Sequence, residues 1–98
     1  MAKSAFYELD MPNADELIVK SRLMQFLTDE IRKRELTQKD AGAILGLDQS
    51  NVSAMVNGKI SRFSVEKLMD LVGRLGFGVS IHIEGDGIAL DVAYKHAA

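Results

Sequence analysis

Hydrophobic positions recur along this chain with two different spacings, and the change between them falls at Gly76. Before Gly76 the spacing is helical. Leu17, Met24, Leu27 and Ile31 make one stripe, with Ile18, Val19 and Phe26 apolar but outside it. Ala41, Ile44 and Leu45 form a second apolar edge. Val52, Met55 and Val56 fall at i, i+3 and i+4. Val65, Leu68, Met69, Val72 and Leu75 run from i to i+10. Each pattern matches one face of a helix. After Gly76 the period is two. Phe77, Val79, Ile81 and Ile83 alternate with Gly78, Ser80, His82 and Glu84. Beyond Gly85-Asp86-Gly87, Ile88, Leu90, Val92 and Tyr94 alternate with Ala89, Asp91 and Ala93. Two alternating runs around a glycine-rich turn predict a β-hairpin. Such a hairpin is marginal alone, and its open edges invite pairing. It is therefore expected to dock on the helices and to pair or pack across a two-fold axis with a second copy.

The residues between these runs set the helix limits. Asn13, followed by Asp15 and Glu16, predicts a helix start near residue 13, with the acids at the positive end of the helix dipole. That helix could reach Glu35, or break near Lys20 and Ser21. Arg32-Lys33-Arg34 suits its negative end and reads first as a plain charge cluster, with phosphate contact a secondary role. Thr37 is placed to cap a short helix, with Asp40 three residues on, and Gly46 to end it. Leu47 is an apolar plug in the turn. Asp48 caps the next helix and Gly58 closes it. Ser64 caps the last helix and Gly76 ends it. Ile60 and Phe63 are apolar anchors for the loop between. The expected fold is mainly α, in one domain spanning residues 1–98, with a helix-turn-helix over 37–58 and a β-hairpin or strand pair over 77–94.

The outward face of the helix after Asp48 is unusual. Ser50, Ser53, Ala54 and Asn57 sit at i, i+3, i+4 and i+7, with Gln49 beside them. A face that only meets water is usually rich in Lys and Glu, whereas this one carries short amide, hydroxyl and methyl groups. Such groups can approach base edges. Gln pairs with adenine, Ser serves several bases, and the Ala methyl can touch a thymine methyl. The plainer reading is an αα-hairpin with a bland polar face.

The stretch QKDAGAILGLDQSNVSAMVNGK, residues 38–59, resembles the helix-turn-helix of the Cro/C1 repressor superfamily, also called the XRE type. The opening Gln, the Leu-Gly turn, the Gln-Ser start of the second helix and the closing Asn-Gly-Lys carry the match. Gly42 departs from it, since the family usually has Ala there. A smaller residue should fit where the helices cross, at a helix-propensity cost of about 1 kcal/mol. The resemblance implies a five-helix-type, lambda-repressor-like domain. It further implies that Gln49, Ser50 and Ala54 read bases, with Ser53 a weaker candidate. Gln38 would hold a phosphate at a helix N-terminus, and Asn51, Asn57, Lys59 and Arg62 would contact the DNA backbone. Double-stranded DNA with a palindromic operator and a homodimer are the implied partners, with half-sites about 34 Å apart.

Over residues 6 to 84 the chain is similar to one branch of that superfamily, the small HigA-type antitoxins and their solitary relatives. Pro-Asn-Ala-Asp-Glu-Leu leads to Leu-Thr-Gln, and Arg62-Phe63-Ser64 leads through a Leu-Met helix to Leu-Gly and a terminal strand. This branch implies an autorepressor that also masks a RelE-like (HigB-like) ribonuclease toxin. Phe6, Ile18, Val19 and Phe26 are then the first suspects for toxin contact. The longer hairpin departs from the usual single strand. A toxin-neutralising protein-binding module, or a solitary regulator with no toxin, are the alternatives.

Charge and composition refine this reading. The net charge is −2, which at first disfavours nucleic acid. Between Ser21 and Arg74, however, nine Lys and Arg stand against seven Asp and Glu, leaving +2. A modest basic middle should bind DNA weakly as a monomer, so a dimer is expected. The chain has no cysteine, which excludes disulfides and thiolate metal sites and fits a reducing cytoplasm. No apolar run is long enough to span a bilayer, and no signal-peptide core is visible. Phe6, Tyr7, Leu9 and Met11 make the first residues more apolar than a free tail needs; they either pack on their own domain or face a partner. His82 and His96 lack a second ligand at useful spacing, and Glu84, Asp86 and Asp91 do not match a calcium loop. No cofactor, metal site, phosphate-binding glycine motif or nucleophile–base pair is expected, and the chain reads as a non-enzyme.

Overall fold

The computed structural model describes residues 13–85 and 87–94. Their order is α1 (Asn13–Lys33), α2 (Gln38–Leu45), α3 (Gln49–Val56), a 3-10 turn (Ile60–Arg62), α4 (Val65–Arg74), β1 (Phe77–Glu84) and β2 (Gly87–Tyr94). Helices therefore dominate the described residues, followed by a two-stranded antiparallel sheet. No helix among them is long and apolar enough to cross a membrane.

Each predicted cap between helices is made. The Thr37 side chain accepts from the Asp40 N–H at 3.0 Å, Asp48 from Asn51 at 2.8 Å, and Ser64 from Lys67 at 3.0 Å. Each cap gives a partner to an N–H that the helix itself leaves open, typically stabilising by about 1 kcal/mol. Gly46 ends α2 at φ 70°, and Gly58 stands after α3 at φ 74°. At the latter end the Lys59 N–H returns to the Ala54 carbonyl at 2.9 Å and the Gly58 N–H to Met55 at 3.0 Å, the paired bonds of a Schellman turn.

Helix α1 is continuous, without a break at Lys20 and Ser21, and Asn13 lies inside it rather than before it. It ends at Lys33, short of Glu35. The Leu36 N–H bonds to Ile31 and the Glu35 N–H to Arg32, both at 3.0 Å. This turn places Glu35 at φ 56°, a left-handed conformation with no glycine to signal it.

The core gathers Val19, Leu23, Met24, Leu27 and Ile31 from α1 around residues of α2, α3, α4 and Phe77. The phase of α1 differs from the expected stripe. Val19 and Leu23 are fully buried, whereas Leu17 is 53% exposed. Val19, Leu23 and Leu27 are spaced by four, so the true stripe is the i, i+4 row through them. In α4, Leu71 is fully buried and Met69 only half-buried. Ile44, expected on the inner edge of α2, is 39% exposed.

The expected hairpin forms, with Phe77 opposite Tyr94, Val79 opposite Val92 and Ile81 opposite Leu90. Its docking on the helices centres on Phe77. The Phe26 ring meets Phe77 edge-on at 4.9 Å, and Tyr94 stacks on it at 4.6 Å. Arg34 lies 5.9 Å from the same ring and donates to the Leu75 carbonyl at 2.9 Å. Its Nε is 3.2 Å from Glu30, a buried carboxylate that Lys33 also approaches at 3.3 Å. Arg34 and Lys33 are thus tied to the structure, beyond the plain charge cluster that the sequence suggested.

The α2–α3 crossing is tight. A Cβ added at Gly42 would stand 2.7 Å from the Leu47 carbonyl oxygen and 3.3 Å from Val52 Cγ2. Helix propensity alone predicts that Gly42→Ala stabilises by about 1 kcal/mol. Overpacking against backbone costs about 1–3 kcal/mol. The expected net result is a loss of about 1 kcal/mol. Thermal or urea unfolding of Gly42→Ala checks the sign, and a gain in stability would show that the turn relaxes freely.

Candidate functional site

Helix α3 divides into two faces. Val52, Ala54 and Met55 point into the core, at 0%, 3% and 1% exposure. Gln49, Ser50 and Asn57 are exposed, and Asn51 and Ser53 are half-buried. Ala54 was expected on the outer face with Ser50, and its burial corrects that assignment. With the α3 phase set by Val52 and Met55, the short Ala54 side chain is covered by the surrounding structure and cannot reach out to a ligand. The outer surface is therefore amide and hydroxyl, without a methyl at its centre. The Asn57 amide donates to the Ser53 hydroxyl at 3.2 Å, which orients both groups.

Gln38 opens α2 and is exposed. Thr37 takes the Asp40 N–H, while the Gln38 and Lys39 N–H groups precede the first intrahelical bond and face out of the helix end. Gln38, Lys39, Gly42, Ala43, Leu47 and Gln49 line a notch of about 530 Å³ between the starts of α2 and α3. The structure thus brings Gln38 and Gln49 together. It adds Lys39, which the sequence reading passed over; the signal was a cation in the first turn beside Gln38. That notch presents amide groups, N–H donors and one cation, a set suited to an anion beside a polar surface.

Lys59 and Arg62 are both exposed and follow α3 directly. Arg62 folds back on the helix. Its Nη2 is 3.3 Å from Ser50 Oγ and 3.5 Å from Asn51 Oδ1. Ser50, Asn51 and Arg62 therefore form one polar group, a contact across 12 residues that spacing along a single helix could not reveal.

The residues suspected of partner contact separate. Phe6 lies outside the described residues. Val19 is fully buried, so it cannot contact a partner, and that suggestion is corrected: it belongs to the i, i+4 row that faces the core. Phe26 is half-buried with its ring against Phe77. Ile18 is 42% exposed, next to the exposed Leu17. His82 is exposed on β1, 3.6 Å from Asp91 across the hairpin.

Three comparisons bear on this arrangement. Residues 5–84 match the model of a helix-turn-helix domain family. A solved structure of a protein described as an XRE family transcriptional regulator is 37% identical, covering 89% of this chain and 98% of its own, with a TM-score of 0.70. Among curated proteins there is no significant match.

Proposed function

The chain belongs to the XRE family of helix-turn-helix proteins, and on that footing we propose that it is a sequence-specific DNA-binding regulator. It represses transcription as a homodimer on a palindromic operator and carries out no catalytic step. Helix α3 enters the major groove, and Gln49 and Ser50 read base edges, with Ser53 contributing less. Gln38 and the open N–H groups of α2 hold a phosphate in the notch. Asn51, Asn57, Lys59 and Arg62 lie along the backbone.

One observation carries this reading: the outer face of α3 is polar and carries no charged side chain of its own from Gln49 to Asn57, and Lys39, Lys59 and Arg62 stand exposed around it. That distribution fits a surface that meets uncharged base edges in its middle and phosphates at its rim. Ala54, being buried, has no part in base reading. Site selection from a random duplex pool at low and moderate salt tests the proposal, and an enriched palindrome is the expected result. Gln49→Ala should cost about 1–3 kcal/mol at the preferred site and relax one position of the motif. Equal loss on every sequence would remove Gln49 from base reading. Lys59→Ala should weaken all sites alike and reduce the salt slope by about one. An unchanged slope would exclude a phosphate contact.

A second role, neutralising a RelE-like toxin, is favoured by a specific feature. Leu17 and Ile18 expose adjacent apolar side chains on the first half of α1, at 53% and 42%. In this reading the protein is the antitoxin and autorepressor of a toxin–antitoxin pair. Ile18→Asp should then weaken the complex with the product of an adjacent toxin gene while leaving operator affinity intact. Co-purification at wild-type strength would dismiss Ile18 as a contact, and a toxin that neither binds nor is inhibited would dismiss the role.

A further inference from the structure

We propose that Arg62 is a specificity-determining residue that reads a guanine beside Ser50, and is more than a backbone contact. This assignment rests on the DNA-binding reading above and deepens it.

The argument begins with what α3 lacks. From Gln49 to Asn57 it carries no charged side chain. Ala54, on the helical row through Ser50, is short and buried. A long polar side chain on this face must therefore come from elsewhere. Arg62 supplies one. From the 3-10 turn it reaches back to the second and third residues of α3, with Nη2 against Ser50 Oγ and Asn51 Oδ1. In helices that enter the major groove, the N-terminal residues are the ones that meet base edges. A guanidinium held at that end stands among the base-reading groups.

Its charge is also available. Arg32, Arg34 and Arg74 each pair with a carboxylate, Asp29, Glu30 and Asp70 respectively. Among the described residues no such ion pair involves Arg62, and its protein contacts use Nη2 alone. Nε and Nη1 are unengaged, and either completes a fork with Nη2 once the longer contact, 3.5 Å to Asn51, gives way to the base. A guanidinium fork matches O6 and N7 of guanine, the commonest specific arginine contact in the major groove. The Ser50 and Asn51 oxygens orient that fork in advance, which reduces the conformational freedom lost on binding.

The test compares wild-type protein with Arg62→Lys and Arg62→Ala in selection from a random duplex pool. Binding to the wild-type motif, and to the same duplex with 7-deazaguanine at each guanine, is then measured. Lysine preserves charge but not the fork, so Arg62→Lys should retain the wild-type salt slope and every motif position except one guanine per half-site. At that guanine either variant should lose roughly tenfold to hundredfold in affinity. The 7-deaza substitution there should weaken the wild type and leave Arg62→Ala unchanged. Arg62 is exposed, so both variants should melt with the wild type. An Arg62→Lys pool with the wild-type motif, or equal loss by Arg62→Ala on all sequences, would overturn the assignment while leaving the DNA reading standing. A wild-type pool with no enriched motif would overturn both.

Discussion

The geometry of the site depends on the close approach of the α2 backbone to the turn that follows it. The Gly42 carbonyl accepts the N–H of Gly46 and, at 2.9 Å, that of Leu47. The Gly42 Cα faces the Leu47 carbonyl so closely that a side chain there has no room. One residue thus anchors both ends of the turn, and the turn sets how α3 leaves α2. Asp48 then starts α3 and Val52 packs against the same crossing. The notch that joins Gln38, Lys39 and Gln49 is the outer side of this approach. A looser crossing would separate those three groups.

Behind the site, α1 and α4 hold the pair from the core. Leu23, Leu27, Leu68 and Leu71 are fully buried, as are Leu45 and Val52 opposite them. Arg74 adds a polar tie. It lies close over Gly46 while pairing with Asp70 at 3.3 Å, so a cation sits at the C-terminal end of α2, where the helix dipole favours it. The buried Glu30 carboxylate is matched by Lys33 and Arg34. Such a pairing does more to define one arrangement than to add stability, because desolvating the charges offsets much of their attraction.

What could be read in the sequence follows from how local the signal is. Thr37, Asp48 and Ser64 cap, and Gly46 and Gly58 turn, because their partners lie within five residues. The hairpin was legible from its period of two, which fixes faces without reference to the rest of the chain. Rotation of a helix about its axis is not local. For α1, rich in apolar residues on several sides, the sequence alone admitted a stripe through Leu17, whereas packing selected Val19 and Leu23. In α3, Ser50, Ser53 and Ala54 are too small to fix a phase, and the larger Val52 and Met55 carried Ala54 inward. Glu35 was hidden for another reason: its left-handed backbone follows from the hydrogen bonds of Leu36 and Glu35 at the end of α1, and nothing in a glutamate announces it. Arg62 on Ser50 and Arg34 on Leu75 join residues far apart in the chain, beyond any periodicity argument.

The bond from Arg34 to the Leu75 carbonyl has a consequence for the order of assembly. It joins residues 41 apart, whereas the caps and turns around α2 and α3 close within five. Loop-closure entropy falls more heavily on the distant contact. The caps and turns therefore favour the helix pair locally, but helices of eight residues become stable only when they pack. The docking of α1 on α4, with the hairpin base clamped between Phe26 and Arg34, belongs to a later and slower event. The outline of the site is thus encoded locally, and its rigidity comes from the distant contacts behind it.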